Sequence, residues 1–316
     1  MILISGEALI DLIPDQTIDN RYDAVLGGSP FNVAIGLSRL GAETSFVARI
    51  STDANGEALA DALLTNGVDL KFVERDKRPT TLAFVMRGTA RTGSRYSFYL
   101  DATAFDGPWP FPRAWPKEAR HLHVGSIAAL DPRHGDRAVA ALKDAQAHGS
   151  TSYDPNVRPL VTPDRDATRA LVERQVAASS IVKASEEDLT WLYPGRGLAD
   201  GLRAWAAMGP KLCVATLGEK GAVAFSGALR LEIPPVKVEV VDTVGAGDSF
   251  MSALISAMDR DGALGAGFAA PAKDALARWL AFAAEASAIT CTRKGSDPPT
   301  RAEVDAGLKG SSLPIG

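Results

Sequence analysis

The sequence has few of the features that mark secreted or membrane-bound proteins. It contains two cysteines in 316 residues, Cys213 and Cys291, both in apolar surroundings, so we expect buried free thiols rather than a disulfide framework. No apolar run is long enough to cross a membrane, and the first strand, MILISGEALIDL, carries acids within its apolar residues. We therefore expect a cytoplasmic protein without a membrane partner.

An excess of charge of one sign is also missing. Lys and Arg number 34 against 38 Asp and Glu, and no dense basic stripe occurs, which argues against a nucleic-acid partner. Two common nucleotide-binding motifs are absent as well. No third glycine completes a dinucleotide fingerprint, and no Gly-Lys-Ser/Thr sequence forms a P-loop. The hydrophobic content of 46% is typical of a globular enzyme with a large core.

The most informative segment is residues 241–258, VDTVGAGDSFMSALISAM. Three β-branched residues predict the end of a strand, Val238, Val240 and Val241. Small residues then predict a sharp turn, Gly245, Ala246 and Gly247. Apolar residues recur at helical spacing from Phe250 onward, so the first turn of a helix should contain Asp248.

This arrangement has a chemical and a purely structural interpretation. The free amides and positive dipole at a helix start can hold an anion, and a carboxylate beside them can take a proton from an attacking hydroxyl. Such a layout suits phosphoryl transfer to an alcohol. Alternatively, Asp248 is only a helix cap, because aspartate is common at helix N-termini.

Two motifs carry a resemblance to a known family. Residues 242–250, DTVGAGDSF, resemble the C-terminal signature of the ribokinase-like (PfkB) carbohydrate kinases, and residues 27–34, GGSPFNVA, resemble the N-terminal one. The resemblance covers essentially the whole chain and leans to the fructokinase branch. It implies ATP-dependent phosphorylation of a sugar hydroxyl, with D-fructose converted to fructose 6-phosphate, and it implies Mg²⁺ as a cofactor.

Other functions remain open at this stage. Within the family, the runner-up substrate is 2-keto-3-deoxygluconate or a similar keto acid, whose carboxylate Arg158 would bind. From another class, the chain could be a sugar-binding regulator without catalysis, although such a protein would not need Asp248. A nicotinamide dehydrogenase is disfavoured by the missing fingerprint.

The resemblance assigns roles to individual residues. Asp248 is the general base, and the backbone amides from Gly245, Ala246 and Gly247 onward form the anion hole. Arg158 lies near the phosphate or substrate. Three residues would hold the sugar, Asp11, Gly28 and Asn32.

Further residues would serve the nucleotide and metal side. The nucleotide would be bordered by Lys183, Ser185, Thr216, Gly218 and Gly221. Asp188 would contact Mg²⁺ through water, since magnesium usually keeps several of its waters. A monovalent cation such as K⁺ is expected near Asp242 and Thr243 by analogy with the family.

The order of predicted elements indicates an α/β fold. The segments LHVGSIAA, STSYDPNVRP and SIVKASEEDL read as strands, and helices are predicted between them at 132–148 and 164–178. Repeated βαβ units predict a mostly parallel sheet with ligands at the carboxyl ends of its strands. Another strand pair is predicted at 80–86 and 95–100, joined by a glycine-rich turn at 87–94.

The family resemblance completes the expected architecture. It implies a ribokinase-like three-layer sandwich, one catalytic domain over residues 1–316, and a small β-sheet lid inserted from roughly 12–28 and 80–105. Because such lids often pair with a second subunit, a homodimer is expected. The aromatic residues Tyr96, Phe98 and Tyr99 would serve either sheet packing or substrate and dimer contacts. His121 and His123 share one face of a strand, but no third metal ligand accompanies them, so we predict a structural role.

Overall fold

Apolar strands alternate with helices along most of the chain. The computed structural model describes residues 1–15, 17–86, 95–112 and 114–310. Its strands are β1 (Ile2–Ser5), β2 (Leu9–Pro14), β3 (Tyr22–Gly27), β4 (Thr44–Ser51), β5 (Asp69–Asp76), β6 (Leu82–Met86), β7 (Arg95–Tyr99), β8 (His121–Gly125), β9 (Ser150–Asp154), β10 (Ile181–Ser185), β11 (Leu212–Thr216), β12 (Ala222–Ser226) and β13 (Leu229–Ile233). Its α-helices are α1 (Ser29–Arg39), α2 (Ala54–Thr65), α3 (Ser126–Leu130), α4 (Gly135–Gln146), α5 (Arg165–Ala177), α6 (Glu186–Leu192), α7 (Leu198–Ala207), α8 (Ala246–Arg260), α9 (Lys273–Cys291) and α10 (Arg301–Gly310).

A large sheet forms the centre of the fold. Within the described residues it has nine strands in the order β13-β12-β11-β10-β9-β8-β1-β4-β5. All neighbours pair in parallel except at β12, which is antiparallel to both β11 and β13. The predicted mostly parallel sheet is confirmed.

Helices cover both faces of this sheet. Along β1, Ile2 and Ile4 pack into one apolar cluster and Leu3 into another, because successive side chains point to opposite faces. The first cluster includes residues of α1, α8 and α9, and the second includes residues of α4, α5 and α7. The fold is therefore the three-layer α/β sandwich that the resemblance implies.

A second, smaller sheet stands beside the first. In the part of the chain that the structure describes it has four strands in the order β3-β2-β6-β7. The strands β6 and β7 pair antiparallel as predicted, whereas the turn predicted at 87–94 lies outside the described residues. The sheet begins at Leu9, earlier than the predicted boundary at 12. That it moves as a lid stays a prediction.

Three predicted strand segments differ from the structure. The strand expected over Val238 to Val241 is wrong: no strand occurs in residues 234–245, and Val240 and Val241 are 59% and 63% exposed. Two prolines directly after β13 lack the N–H that a further ladder bond would need. The segment LHVGSIAA stops being a strand at Gly125, where α3 begins, and SIVKASEEDL stops at Ser185, where α6 begins.

Two observations bear on the expectations drawn from composition. Cys213 is a buried free thiol as predicted, and Cys291 is free but only half-buried. No helix among the described residues combines the length and the apolar composition that a membrane crossing requires.

Candidate active site

Polar residues cluster where the central parallel strands end. Gly125, Asp154, Ser185 and Thr216 are the last residues of β8, β9, β10 and β11. Gly125 pairs with Asp154, and Ser185 pairs with Thr216. The carboxyl edge of the sheet therefore brings several of the predicted site residues together, as expected for an open α/β sheet.

Helix α8 starts beside this edge. Its N-cap, Gly245, has a left-handed φ of 77°, and a Cβ there would overlap Ser296. The Ala246 amide donates to the Thr243 carbonyl and the Ser249 amide to the Gly245 carbonyl, so the amides of Gly247 and Asp248 are the candidates for the predicted anion hole. Asp248 is the third residue of α8, and no side chain caps this helix. The interpretation of Asp248 as a simple cap is therefore not supported.

The Asp248 carboxylate is held by helix α1 instead. Ser29 Oγ donates to Asp248 Oδ1 at 2.6 Å, and Asn32 Nδ2 donates to Asp248 Oδ2 at 2.8 Å. The two sequence motifs, more than 200 residues apart along the chain, thus meet at one carboxylate. Sequence reasoning selected Asn32 but missed Ser29, because nothing in a serine at a helix start indicates a distant partner.

A buried lysine contacts the first turn of α8. Lys183 Nζ donates to Asp154 Oδ2 at 2.5 Å and to the Gly247 carbonyl at 3.2 Å. Burial alone would lower the pKa of Lys183, but the Asp154 carboxylate, helped by Asp248 and Asp188, outweighs burial and raises it. The lysine is therefore a buried cation next to the first turn of α8. Its partner Asp154 lies in the predicted strand segment STSYDPNVRP, but the sequence analysis assigned it no role.

Asp188 connects two strand ends. Its Oδ2 accepts from the amide and hydroxyl of Ser185, which completes a capping box at the start of α6. Its Oδ1 accepts from the Val157 amide at 2.7 Å. One acceptor position remains on Oδ1. That single position fits the predicted contact to a metal-bound water better than direct binding of the metal ion by the carboxylate.

The predicted sugar residues surround a second part of the site. Asp11 lies on β2 against the glycine pair, since a Cβ at Gly27 would overlap its Oδ2. Gly28 is left-handed at φ 110°, and a Cβ there would overlap the Glu7 carbonyl. Burial raises the pKa of Asp11 to about 6, although Arg158 lowers it. The small sheet thus presents a carboxyl group toward Arg158 and Asp248.

Arg158 joins the two sheets. Its guanidinium carbon lies 5.6 Å from the ring centroid of Tyr96 on β7, and its Nη1 donates to Asn156 Oδ1 at 2.7 Å. Asn156 itself has a left-handed φ of 39°. The arginine therefore lies beside the predicted sugar residue Asp11 and beside Glu7, near enough to lower the pKa of both. Tyr96 thus contacts Arg158, and its predicted contact with a substrate or a second subunit stays a prediction.

Glu7 is a buried acid near Arg158 that the sequence analysis did not select. It is 3% exposed, and its Oε2 accepts from the Ala128 amide at 3.1 Å. Burial raises the pKa of Glu7 to about 7, against the hydrogen bonds with Ser126 and Ala128 that lower it. An acid between the strands β1 and β2 was visible in the sequence, but its burial depends on the packing of α3.

The predicted nucleotide-binding glycines after β11 differ in the space around them. Thr216 ends the strand. Gly218 is left-handed at φ 57°, and a Cβ there would have nothing within 4 Å. Gly221 is left-handed as well, but a Cβ there would overlap the Ile233 carbonyl. Packing against the end of β13 therefore suffices to explain a glycine at 221, whereas the open surface at Gly218 leaves room for a ligand.

The predicted monovalent-cation residues lie in the loop before α8. Asp242 Oδ1 accepts from the Val244 amide at 3.1 Å, and its Oδ2 accepts from the Gly295 amide at 2.9 Å. The carbonyl of Thr243 accepts from the Ala246 amide. Asp242 thus ties this loop to the segment after α9. Each of its carboxylate oxygens keeps an acceptor position.

The two histidines of β8 have a structural explanation. His121 lies 2.8 Å from both Ser150 and Ser152 through its two ring nitrogens, and His123 lies 2.9 Å from Ser152. Burial lowers the pKa of His121 to about 3. No group of three metal-ligating side chains occurs among the residues that the structure describes. These neutral imidazoles belong to the core.

Comparison with known proteins agrees with this site. The family model described as pfkB family carbohydrate kinase matches residues 1–303. The chain belongs to the pfkB family of carbohydrate kinases. The predicted kinase family and ribokinase-like fold are confirmed, and family membership argues against a nicotinamide dehydrogenase.

Several fructokinases are similar in sequence to most of this chain. A fructokinase from Rhizobium leguminosarum bv. trifolii is 37% identical over 270 residues, which cover 84% of this chain and 81% of the relative. Fructokinase-2 from Solanum lycopersicum is 32% identical over 327 residues, covering 99% and 97%.

Solved structures of pfkB kinases superpose well. A crystal structure of a fructokinase from Vibrio cholerae O395, bound to fructose, ADP and a calcium ion, has a TM-score of 0.83 at 28% identity and covers 97% of this chain and 98% of that one. A fructokinase structure from Xylella fastidiosa has a TM-score of 0.86 at 26% identity, covering 98% and 99%.

Proposed function

We propose that this pfkB kinase is a fructokinase that transfers the γ-phosphoryl group of ATP to a hydroxyl of D-fructose. The proposal rests mainly on the hydrogen bonds from Ser29 and Asn32 to the Asp248 carboxylate, which lies directly beside the free amides of α8. A base and an anion hole in contact are what phosphoryl transfer to an alcohol needs. The fructokinase relatives, one of them bound to fructose and ADP, support the choice of sugar and nucleotide.

The residues suggest how the reaction proceeds. The sugar hydroxyl gives its proton to Asp248 while its oxygen forms a bond to the γ-phosphorus, and the bond from that phosphorus to the leaving ADP oxygen breaks. The first-turn amides of α8 stabilise the charge on the phosphoryl group. Lys183 adds a positive charge behind the same turn through the Gly247 carbonyl. Asp11, Gly28 and Asn32 bind the sugar on the opposite side.

Metal ions have defined places in this proposal. Mg²⁺ would neutralise phosphate charge, and Asp188 would hold one of its waters through the free acceptor position on Oδ1. Asp242 and Thr243 are the proposed neighbours of a monovalent cation. A related fructokinase double mutant from Vibrio cholerae O395, 27% identical, has been crystallised with a potassium ion, which supports testing K⁺ first.

We further infer that two copies associate through the small sheet. The face that points away from Arg158 carries Tyr22, Phe84 and Tyr99, whose rings pack edge to face at 5.5 and 5.4 Å. Tyr22 and Tyr99 are 46% and 57% exposed. An exposed apolar face of this kind favours a partner. A cytoplasmic location stays a prediction.

A substrate panel tests the proposed function. ADP release is measured with ATP and Mg²⁺ and with fructose, ribose, glucose, 2-keto-3-deoxygluconate or adenosine as the acceptor. We expect the highest kcat/KM with fructose. A preference for 2-keto-3-deoxygluconate would keep the mechanism and assign Arg158 to the carboxylate of a keto acid. Tight sugar binding without ADP release from any acceptor would contradict the proposal and favour a regulator.

A further inference from the structure

The hydrogen bond between Ser29 and Asp248 joins α1 to α8 but caps neither helix. Serine at the start of a helix usually caps that helix with its own hydroxyl. Here the N-cap of α1 is Gly28 and the N-cap of α8 is Gly245, and neither helix has a side-chain cap. The Ser29 hydroxyl instead reaches across to Asp248 Oδ1 at 2.6 Å.

Together, Ser29 and Asn32 fix the plane of the Asp248 carboxylate. The two donors are three residues apart on α1, so they lie on the same face of one rigid helix. Each binds a different carboxylate oxygen. A carboxylate oxygen has two acceptor positions, so one position on each oxygen is left for a substrate hydroxyl, in a direction set by α1.

The position of α8 itself does not depend on Ser29. Ser287 Oγ donates to the Ala246 carbonyl at 2.9 Å, and Ser249 Oγ lies 2.6 Å from Thr290 Oγ1 on α9. Lys183 holds the Gly247 carbonyl. Loss of the Ser29 hydroxyl would therefore free the Asp248 carboxylate to rotate without displacing the helix that carries it.

We propose that Ser29 is a positioning residue that aims the Asp248 carboxylate at the reacting sugar hydroxyl. The inference rests on the proposed function, in which Asp248 accepts that proton. Small errors in the placement of a reacting group slow a reaction strongly without weakening ground-state binding. Ser29 thus acts on turnover through Asp248, while Asp11 and Asn32 keep the sugar bound.

The test compares Ser29→Ala with Ser29→Thr and with a control. Ser38→Ala removes another hydroxyl from α1, one that donates to the Asn66 carbonyl away from Asp248. For Ser29→Ala we expect kcat to fall about tenfold, as for loss of one hydrogen bond to a charged group, while KM for sugar and ATP stays within about twofold. Ser29→Thr should recover most of the turnover, and Ser38→Ala should keep it. Thermal unfolding of each variant establishes that it is folded.

Three results would overturn the inference. They are an unchanged kcat in Ser29→Ala, a loss confined to the KM of the sugar, and a Ser29→Thr variant no faster than Ser29→Ala. Failure of the proposed function is separate. If the wild type phosphorylates none of the sugars, the proposed function fails; if its turnover collapses in Asp248→Asn but not in Ser29→Ala, the role of Ser29 alone fails.

Discussion

Asp11 is a buried carboxyl group whose protonation changes what it can do for a sugar. Burial, together with the nearby Asp248 carboxylate, raises its pKa to about 6 against the opposing charge of Arg158. Above this pH the carboxylate accepts hydrogen bonds from sugar hydroxyls, and below it the neutral acid loses part of that capacity. We predict that KM for the sugar rises as the pH falls below about 6, as measured between pH 5 and 8. Asp11→Asn should have a high KM without this pH dependence, whereas a flat wild-type profile would contradict the role.

Glu7 links stability to pH. Its pKa of about 7 in the folded protein lies above its ordinary value of 4.5, so the folded state binds the proton more tightly than the unfolded state. This contribution to stability is fully present below pH 4.5 and is lost as the pH rises through 7. Glu7→Gln keeps an acceptor for the Ala128 amide and removes the titration.

Urea unfolding at several pH values tests this linkage. Relative to wild type, we predict that Glu7→Gln gains about 3 kcal/mol of unfolding free energy between pH 4.5 and pH values above 7. Because all other titrating groups are the same in the two proteins, their contributions cancel in the difference in unfolding free energy. A difference that does not change with pH would show that Glu7 does not titrate in this range.

At the scale of elements, the start of α8 depends on Gly245. Its backbone is left-handed at φ 77°, and an added Cβ would meet both the side chain and the backbone of Ser296. Gly262, just beyond the other end of α8, is also left-handed at φ 67° but has nothing within 4 Å. Both glycines therefore have a left-handed backbone, but only Gly262 has space for a Cβ.

The pair gives a matched prediction. Gly262→Ala should cost about 1 kcal/mol of stability from backbone strain and keep kcat. Gly245→Ala should cost more, and it should also lower kcat because the amides that bind the phosphoryl group move. Thermal unfolding and steady-state kinetics of both variants measure these effects. Equal losses of stability and an unchanged kcat in Gly245→Ala would exclude a role in the anion hole.

Elements whose signals are local could be predicted from the sequence. Helix α8 begins next to the glycine turn that predicted it, and the parallel strands end where polar residues follow apolar ones. The strand expected at Val238 to Val241 is wrong, because β-branched residues favour a strand without supplying a neighbour to pair with. The contact of Ser29 with Asp248 spans 219 residues and depends on the packing of α1 on α8, which no local pattern encodes.

At the scale of the whole molecule, the small sheet has one face toward the site and one away from it. Tyr96 contacts Arg158 on the first face, and Tyr99 lies on the second. We predict that Tyr99→Lys shifts a dimer toward monomer in sedimentation velocity runs, because a charge would be buried in the contact. Leu64→Lys, at an equally exposed apolar residue of α2, is the control and should not change the sedimentation. A wild type that sediments as a monomer would refute the proposed dimer.

The whole arrangement converges on Asp248, to which α1 supplies the donors and α8 the carboxylate. The most direct test is the rate of ADP release with saturating fructose, ATP and Mg²⁺ for Asp248→Asn against wild type. We predict that kcat falls by about 10³-fold, within the range for loss of a general base, while fructose still binds by calorimetry. A variant that keeps a rate near that of wild type would contradict the account, because the proton would then leave by a path that does not use Asp248.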